Sequence, residues 1–290
     1  MRTAIFTVAY PGPYLPTYAQ AYFASLAAQS DRDFDVVIFN DGADYLLASM
    51  LPPELTIRVE PVNGLPAAIR CQAIRRLLQD GYELIVFADI DDCFAPNRIE
   101  VSKSLIAGGK RIIFNELELF GMNIAEPRPV YAGRIDEGAS FGADAILHAN
   151  CLGLSNTAVH RDAITDDALK PDEVIVFDWL FFSRLLLAGQ NAHFTLATKT
   201  NYRQHQSNIA TLTQWRDPEI RRGVRVKQQH YSALRKHAIH GGLAVEFSEI
   251  GARMDGDHRF AADYCNAVRA LTLRQPWWWE PIKTRKELNL

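Results

Sequence analysis

Over residues 3 to 208 the hydrophobic positions fall into short continuous runs separated by longer periodic stretches. Residues 3 to 9, Phe34 to Phe39 and Glu83 to Phe87 are largely apolar runs of strand length, and Leu55-Thr56-Ile57-Arg58-Val59 reads as a further strand. Runs of this kind fill parallel sheets that are buried on both faces. Between them, residues 15 to 29 carry Leu15, Tyr18, Ala19, Tyr22, Phe23 and Leu26 at the three- and four-residue spacing of an amphipathic helix. Residues 44 to 51 read as a short helix closed by Pro52-Pro53, and Asn63-Gly64-Leu65-Pro66 opens another over residues 66 to 80. Strand and helix alternate, which predicts an α/β fold built on a mostly parallel sheet flanked by helices.

The pattern continues less regularly. A helix is expected from Pro96 to Ala107, then a strand from Lys110 to Phe114. Residues 121 to 145 are rich in Gly, Pro and short polar side chains. They read as an irregular loop, with a strand expected at Pro129 to Ala132, and loops of this length are often functional. A helix start is expected near Arg161, a helix from Asp178 to Leu187 ended by Gly189, and a last strand from Ala192 to Ala197. From Pro218 the pattern changes to long helices, expected over residues 219 to 238 and 258 to 273. A boundary is expected near 215, between an α/β domain (1–215) and a helical C-terminal extension (216–290).

Composition narrows the function classes. The chain has 290 residues, 31 basic and 34 acidic, with a net charge of −3. No overall basic field points to nucleic acid. The four cysteines lie far apart with no CxxC pair, which fits reduced thiols in a cytoplasm better than a disulfide frame or a zinc site. The opening residues read as a strand, not a signal peptide. No stretch approaches the roughly 20 apolar residues of a membrane span.

The chemistry concentrates at Asp89-Ile90-Asp91-Asp92, which follows the apolar run ending at Phe87. In open α/β sheets ligands gather beyond the carboxyl ends of strands. Carboxylates at the first and third positions suit a hard divalent cation that also holds substrate phosphates. The same residues can equally close a strand as an acidic turn, with Asp92 capping a helix. Further along, Phe177-Asp178-Trp179 sets a carboxylate between two aromatic side chains, and Tyr202-Arg203-Gln204-His205 places a cation beside a histidine. An earlier strand ends on Asn40-Asp41-Gly42.

This ordered set resembles the family-2-type inverting glycosyltransferases of the GT-A fold, over roughly residues 3 to 208. The resemblance implies transfer of a sugar from a nucleotide-diphosphate donor to an acceptor hydroxyl, with inversion. It further implies a divalent cation (Mn²⁺ or Mg²⁺) and a glycan or glycolipid acceptor in bacterial surface polysaccharide synthesis. By that resemblance Asp178 is the catalytic base. Asp89 and Asp91 are the ends of the Asp-x-Asp motif, with Asp91 or Asp92 as the main metal ligand. His205 completes the metal or diphosphate site. Thr7, Asp41, Arg70, Gly153 and Arg203 are expected around the donor. The match is loose at Thr7-Val8-Ala9-Tyr10, and the departures at Asn40, Cys71 and Phe177 keep open a non-catalytic sugar-nucleotide-binding or scaffold relative. A nucleotidyltransferase would want a glycine-rich phosphate loop after the first strand, and Tyr10-Pro11-Gly12-Pro13 does not supply one. Trp277-Trp278-Trp279 is read either as a clamp holding the tail on the catalytic domain or as a peripheral contact with the inner membrane. The basic stretch from Glu219 to Lys236 is a candidate for membrane contact, for an anionic acceptor or for a homodimer interface.

Overall fold

The structure is a computed structural model, and it describes residues 1–12, 15–43, 50–122, 124–205, 215–273 and 277–290. The helix expected over 44 to 51 lies largely outside the described residues. Among these residues, ten strands form one sheet, flanked by seven α-helices.

The first half follows the apolar runs closely. Strands β1 (Thr3–Ala9), β2 (Asp35–Asn40), β3 (Ile57–Pro61) and β4 (Leu84–Phe87) pair in parallel in the order β3-β2-β1-β4. Helices α1 (Leu15–Ala27), α2 (Pro66–Gln79) and α3 (Arg98–Ala107) occur near the expected boundaries. Pro66 sits in the first turn of α2, where its missing N–H leaves no helical bond unmade. All seven residues of β1 are buried, because successive side chains enter two different cores. Ala4, Phe6 and Val8 face one hydrophobic cluster, and Ile5 and Ala9 face the other.

Beyond β4 the sheet becomes mixed. Strand β9 (Thr157–His160) inserts between β4 and β6 (Ile112–Gly121), antiparallel to both. The residues expected to open a helix near Arg161 form only a single 3-10 turn, Arg161–Ala163. Strand β6 runs well past the expected Phe114, and β10 (Ala192–Gln204) runs past the expected Ala197. These two pair in parallel over their length, with a register shift between Thr195 and Lys199. The second half of β10 is polar and that of β6 alternates, Glu116-Leu117-Glu118-Leu119, so neither shows as a continuous apolar run. The short strand β5 (Cys93–Phe94) pairs with β10. In the loop after β6, β7 (Arg128–Pro129) pairs with β6 and β8 (Ser140–Phe141) with β10, where a strand at 129 to 132 was expected. That loop is gathered by Glu116, whose buried carboxylate accepts N–H bonds from Leu117, Val130, Tyr131 and Ala132 at 2.7–3.0 Å.

Helix α4 (Phe177–Leu187) starts one residue before its expected position. The C-terminal part holds α5 (Asp217–Ala233), α6 (Ala238–Gly256) and α7 (His258–Ala270). Their apolar residues join the same core cluster as β1, β6 and α4. At α5, Arg221 pairs with Asp255, Arg216 just before the helix with Glu219, and Asp217 of its first turn with Arg269 of α7. Lys227 is buried, and its ammonium donates to the His148 carbonyl at 2.8 Å. The cysteines are free thiols; Cys71, Cys151 and Cys265 are buried. Among the described residues no helix is long and apolar enough to cross a membrane.

Candidate active site

Strands β1, β2, β4 and β10 all end on the same edge of the sheet, and a cavity of about 520 Å³ opens there. Six of the residues singled out in the sequence line it: Arg70, Asp89, Asp91, Gly153, Asp178 and His205. They come from segments far apart in the chain.

The acidic turn divides its labour. Asp92 is fully buried, and both of its carboxylate oxygens are engaged by the protein. One accepts the Arg203 backbone N–H at 2.7 Å, and the other accepts the Ser155 hydroxyl. Asp91 instead lines the cavity, with its Oδ2 2.7 Å from His205 Nε2. Asp89 also lines the cavity, and its carboxylate takes no hydrogen bond from any described residue. Burial pushes Asp89 up to about 7, with the charge of Asp91 adding to the effect. Burial also carries Asp92 well above the ordinary carboxylate range. Three carboxyls so close together cannot all ionise cheaply without a counter-charge.

Two arginines supply part of it. Arg98, from the first turn of α3, is 1% exposed and donates to the Phe87 carbonyl at 2.7 Å. Burial lowers it to about 9, and Tyr22, Asp92 and Asp89 pull it back up. Nothing in the sequence singles Arg98 out, because an arginine in the first turn of a helix is ordinarily a surface residue. Arg70, on α2, lines the cavity and lies 5.7 Å from the centre of the Tyr10 ring. No described residue forms a hydrogen bond or ion pair with its guanidinium, and its Nε is buried without a partner. Its charge acts on both Asp89 and Asp178. An unpaired guanidinium bordering a cavity is a ready receptor for a phosphate.

Asp178 sits in the first turn of α4, and its Oδ1 accepts the Trp179 N–H at 2.8 Å. Burial raises it to about 6; that N–H and Arg70 only partly offset the effect. Gly153 faces it directly. A Cβ built on Gly153 would lie in ordinary contact with Asp178 Oδ2, at 3.9 Å, and would press on Asn156 Oδ1, at 3.1 Å. Trp179 points away from the cavity. It stacks on the buried His230 ring with centroids 3.8 Å apart, tying α4 to α5.

The other three expected donor residues lie outside the cavity lining. Thr7 is buried and shares a hydrogen bond with the Tyr22 hydroxyl. Asp41 follows β2, its N–H bonded to the Ala9 carbonyl at 2.8 Å. Arg203 joins β10 to the acidic turn through its backbone N–H and through Nε, which donates to the Asp91 carbonyl at 2.8 Å. Its guanidinium lies over the Tyr18 and Phe120 rings, 4.6 and 4.4 Å from their centres.

The tail supplies lining that no sequence pattern announces. Trp278 and Trp279 border the cavity, and Trp277 packs against Tyr131 and Phe141 under the Arg134 guanidinium. Of the two readings of the tryptophans, the structure places all three against the protein.

A divalent cation fits the donor set present. Among the described residues no group of three or more His, Cys, Asp or Glu stands in metal-binding arrangement. Asp91 and His205 both line the cavity and offer a carboxylate and an imidazole, whose Oδ2 and Nε2 are hydrogen-bonded to each other here. A cation that takes most of its ligands from substrate phosphates and water needs no more from the protein.

No protein-family model matches the sequence, and no curated protein matches it significantly. Solved structures do match the fold. S. aureus TarS (residues 1–349) in complex with UDP-GlcNAc aligns with a TM-score of 0.59 at 15% identity, over 85% of this chain and 71% of that one. The same protein in complex with UDP aligns at 0.58 and 14%, over 94% and 76%. The mannosyltransferase PcManGT from Pyrobaculum calidifontis, in complex with GDP-Man and Mn²⁺, aligns at 0.55 and 13%, over 94% and 76%. The chain has the GT-A-type fold expected from its motifs.

Proposed function

We propose that the chain is a glycosyltransferase that moves a sugar from a nucleotide-diphosphate donor to an acceptor hydroxyl with inversion, assisted by Mn²⁺ or Mg²⁺. The observation that carries this reading is the composition of one cavity. It joins an unpaired guanidinium, Arg70, to a hard donor pair, Asp91 and His205, and to a carboxyl held near neutrality, Asp178. The UDP-GlcNAc, UDP and GDP-Man bound by the structural neighbours support a nucleotide-sugar donor.

Asp178 is the base in this reading. It takes the proton of the acceptor hydroxyl as the new C–O bond forms at the anomeric carbon. The bond from that carbon to the diphosphate breaks, and the electron pair leaves on the phosphate oxygen. Arg70 binds the diphosphate through its guanidinium. Asp91 and His205 would hold the cation, which neutralises the charge developing on the leaving group. Asp92 is the structural member of the acidic turn, since its oxygens already serve Ser155 and Arg203. Thr7 and Arg203 support the site from behind, and Asp41 belongs to the strand edge beside it.

The acceptor is a glycan or glycolipid of bacterial surface polysaccharide synthesis in this reading, and the enzyme acts in the cytoplasm. Flotation of the whole chain with anionic vesicles tests peripheral membrane contact, and sedimentation tests a homodimer.

The deciding experiment is thermal denaturation with UDP, GDP, dTDP or CDP, each with and without Mn²⁺, followed by product analysis with the matching nucleotide sugars. A nucleotide-specific, metal-dependent stabilisation with inverted glycoside product is expected. Nucleotide binding without any turnover would favour the non-catalytic relative. No stabilisation by any nucleotide would overturn the donor site.

A further inference from the structure

One wall of the cavity has no task in the reaction described so far. It consists of Trp278 and Trp279 from the tail and Tyr202 from β10. Trp278 stands edge-on to Tyr202, with ring centroids 5.5 Å apart and an interplanar angle of 89°.

This wall is fixed in place from several sides. The Asn150 N–H donates to the Trp278 carbonyl at 3.0 Å. Arg134 binds Glu280 through two hydrogen bonds of 2.9 and 3.1 Å. Ile282 fills the notch over Gly223 on α5, where a Cβ would come within 2.6 Å of it. Trp279 itself is held at φ +67°, a left-handed conformation unfavourable for a bulky side chain. Such strain persists where the surroundings over-determine it, and it gathers at ligand clamps.

The wall is aromatic, yet each of its three residues carries a hydrogen-bond donor that the protein leaves unspent. Neither the Trp278 nor the Trp279 indole N–H, nor the Tyr202 hydroxyl, is bonded to any described residue. An isoprenoid or acyl chain laid against it would leave those donors without partners, each at about 1–3 kcal/mol. A pyranose satisfies both properties. Its C–H face covers an indole, and its hydroxyls accept from N–H and O–H groups. The charged groups that suit a diphosphate (Arg70, Asp91 and His205) belong to other elements of the same cavity.

We propose that Trp278, Trp279 and Tyr202 form the acceptor subsite, and that the acceptor presents a pyranose ring to them. The inference rests on the glycosyltransferase reading and deepens it. The C-terminal turn is then part of the substrate site as well as a structural clamp.

The test is transfer to a panel of methyl and p-nitrophenyl pyranosides, using the nucleotide sugar identified by thermal denaturation. Trp278→Phe and Tyr202→Phe each remove one donor and keep a ring. Each should raise the acceptor KM about five- to tenfold, the effect of one hydrogen bond, and move the donor KM less than about twofold. Their melting temperatures, measured alongside, separate this effect from unfolding. Equal shifts in both KM values, a larger shift for the donor, or no shift would overturn the subsite. So would transfer to an isoprenoid alcohol or lipid phosphate in place of any pyranoside. If nucleotide binds but no pyranoside is accepted, this inference fails and the donor reading stands. If no nucleotide binds, both fail.

Discussion

At Asp178, the surroundings of one carboxyl set both its use and its cost. Its pKa of about 6 follows from burial, and a base of that strength is still ionised at neutral pH. With an acceptor in hand, kcat/KM should rise with pH along a limb centred near 6 and level off above it. Asp178→Asn should lower transfer by about 10²- to 10⁴-fold, the usual worth of a general base, and leave nucleotide affinity within about twofold. A mutant that still transfers sugar at a near wild-type rate would remove Asp178 from the mechanism. The same pKa makes a stability claim. A carboxyl whose folded pKa lies above its unfolded value stabilises the fold while protonated. That contribution is fully present below about pH 4 and is lost as pH rises through about 6. At pH 7.5 the wild-type protein therefore carries an ionised, half-buried carboxylate, and Asn at this position should be more stable by on the order of 1 kcal/mol. Melting curves of the two proteins at pH 7.5 and pH 5 check the sign: the gap should shrink at the lower pH.

Among the elements, the pairing of α5 with the tail is the contact most open to a single change. Gly223 is buried in the middle of α5, and a Cβ there would meet Ile282 Cγ1 at 2.6 Å and Cδ1 at 2.8 Å. Gly223→Ala gains roughly 0.5–1 kcal/mol of helix propensity. It loses about 1–3 kcal/mol to overpacking. Overpacking should win, with a net loss of about 1 kcal/mol that Ile282→Ala in the same chain partly restores. Additive losses in the double mutant would show that the two side chains do not share this space. Because Trp278 and Trp279 belong to the same turn, the single mutant should also weaken acceptor binding. Glu116 plays a comparable part for the loop after β6, where its carboxylate gathers four backbone N–H groups.

For the whole molecule, ligand binding and folding are linked by mass action. A nucleotide present at a hundred times its Kd should stabilise the native state by about 2.7 kcal/mol. Asp91→Asn should abolish the part of that stabilisation that depends on Mn²⁺, and Asp92→Asn should instead lower the melting temperature with or without nucleotide. The reverse pattern, read from melting curves at fixed nucleotide, would exchange the roles of the two carboxylates.

Much of this was legible in the chain. Continuous apolar runs located β1, β2 and β4, since a strand buried on both faces has no polar side to show; β3, a half-exposed edge strand, was legible from its alternation, Leu55-Thr56-Ile57-Arg58-Val59. Helical spacing and Pro66 located α1 and α2, and the order of Asp89-Ile90-Asp91-Asp92, Phe177-Asp178-Trp179 and Tyr202 to His205 located the edge of the sheet where the cavity lies. Local pattern decides these features, because each depends on a few neighbouring residues. The antiparallel insertion of β9 and the polar second half of β10 escaped it, because pairing partners distant in sequence define them. Helix α6 carries Gly241, Gly242 and Gly251, which weaken its helical pattern, and the second half of β6 alternates, so it is not a continuous apolar run. Tertiary structure alone separated Asp91 from Asp92, two adjacent and chemically identical side chains: Ser155 and Arg203 claim the oxygens of Asp92, while Asp91 meets His205 at the cavity. It alone placed the tail tryptophans in the cavity. Chain order carries no information about which distant surface a hydrophobic segment will cover; the notch at Gly223, the carbonyl partner at Asn150 and the pairing of Arg134 with Glu280 decide that.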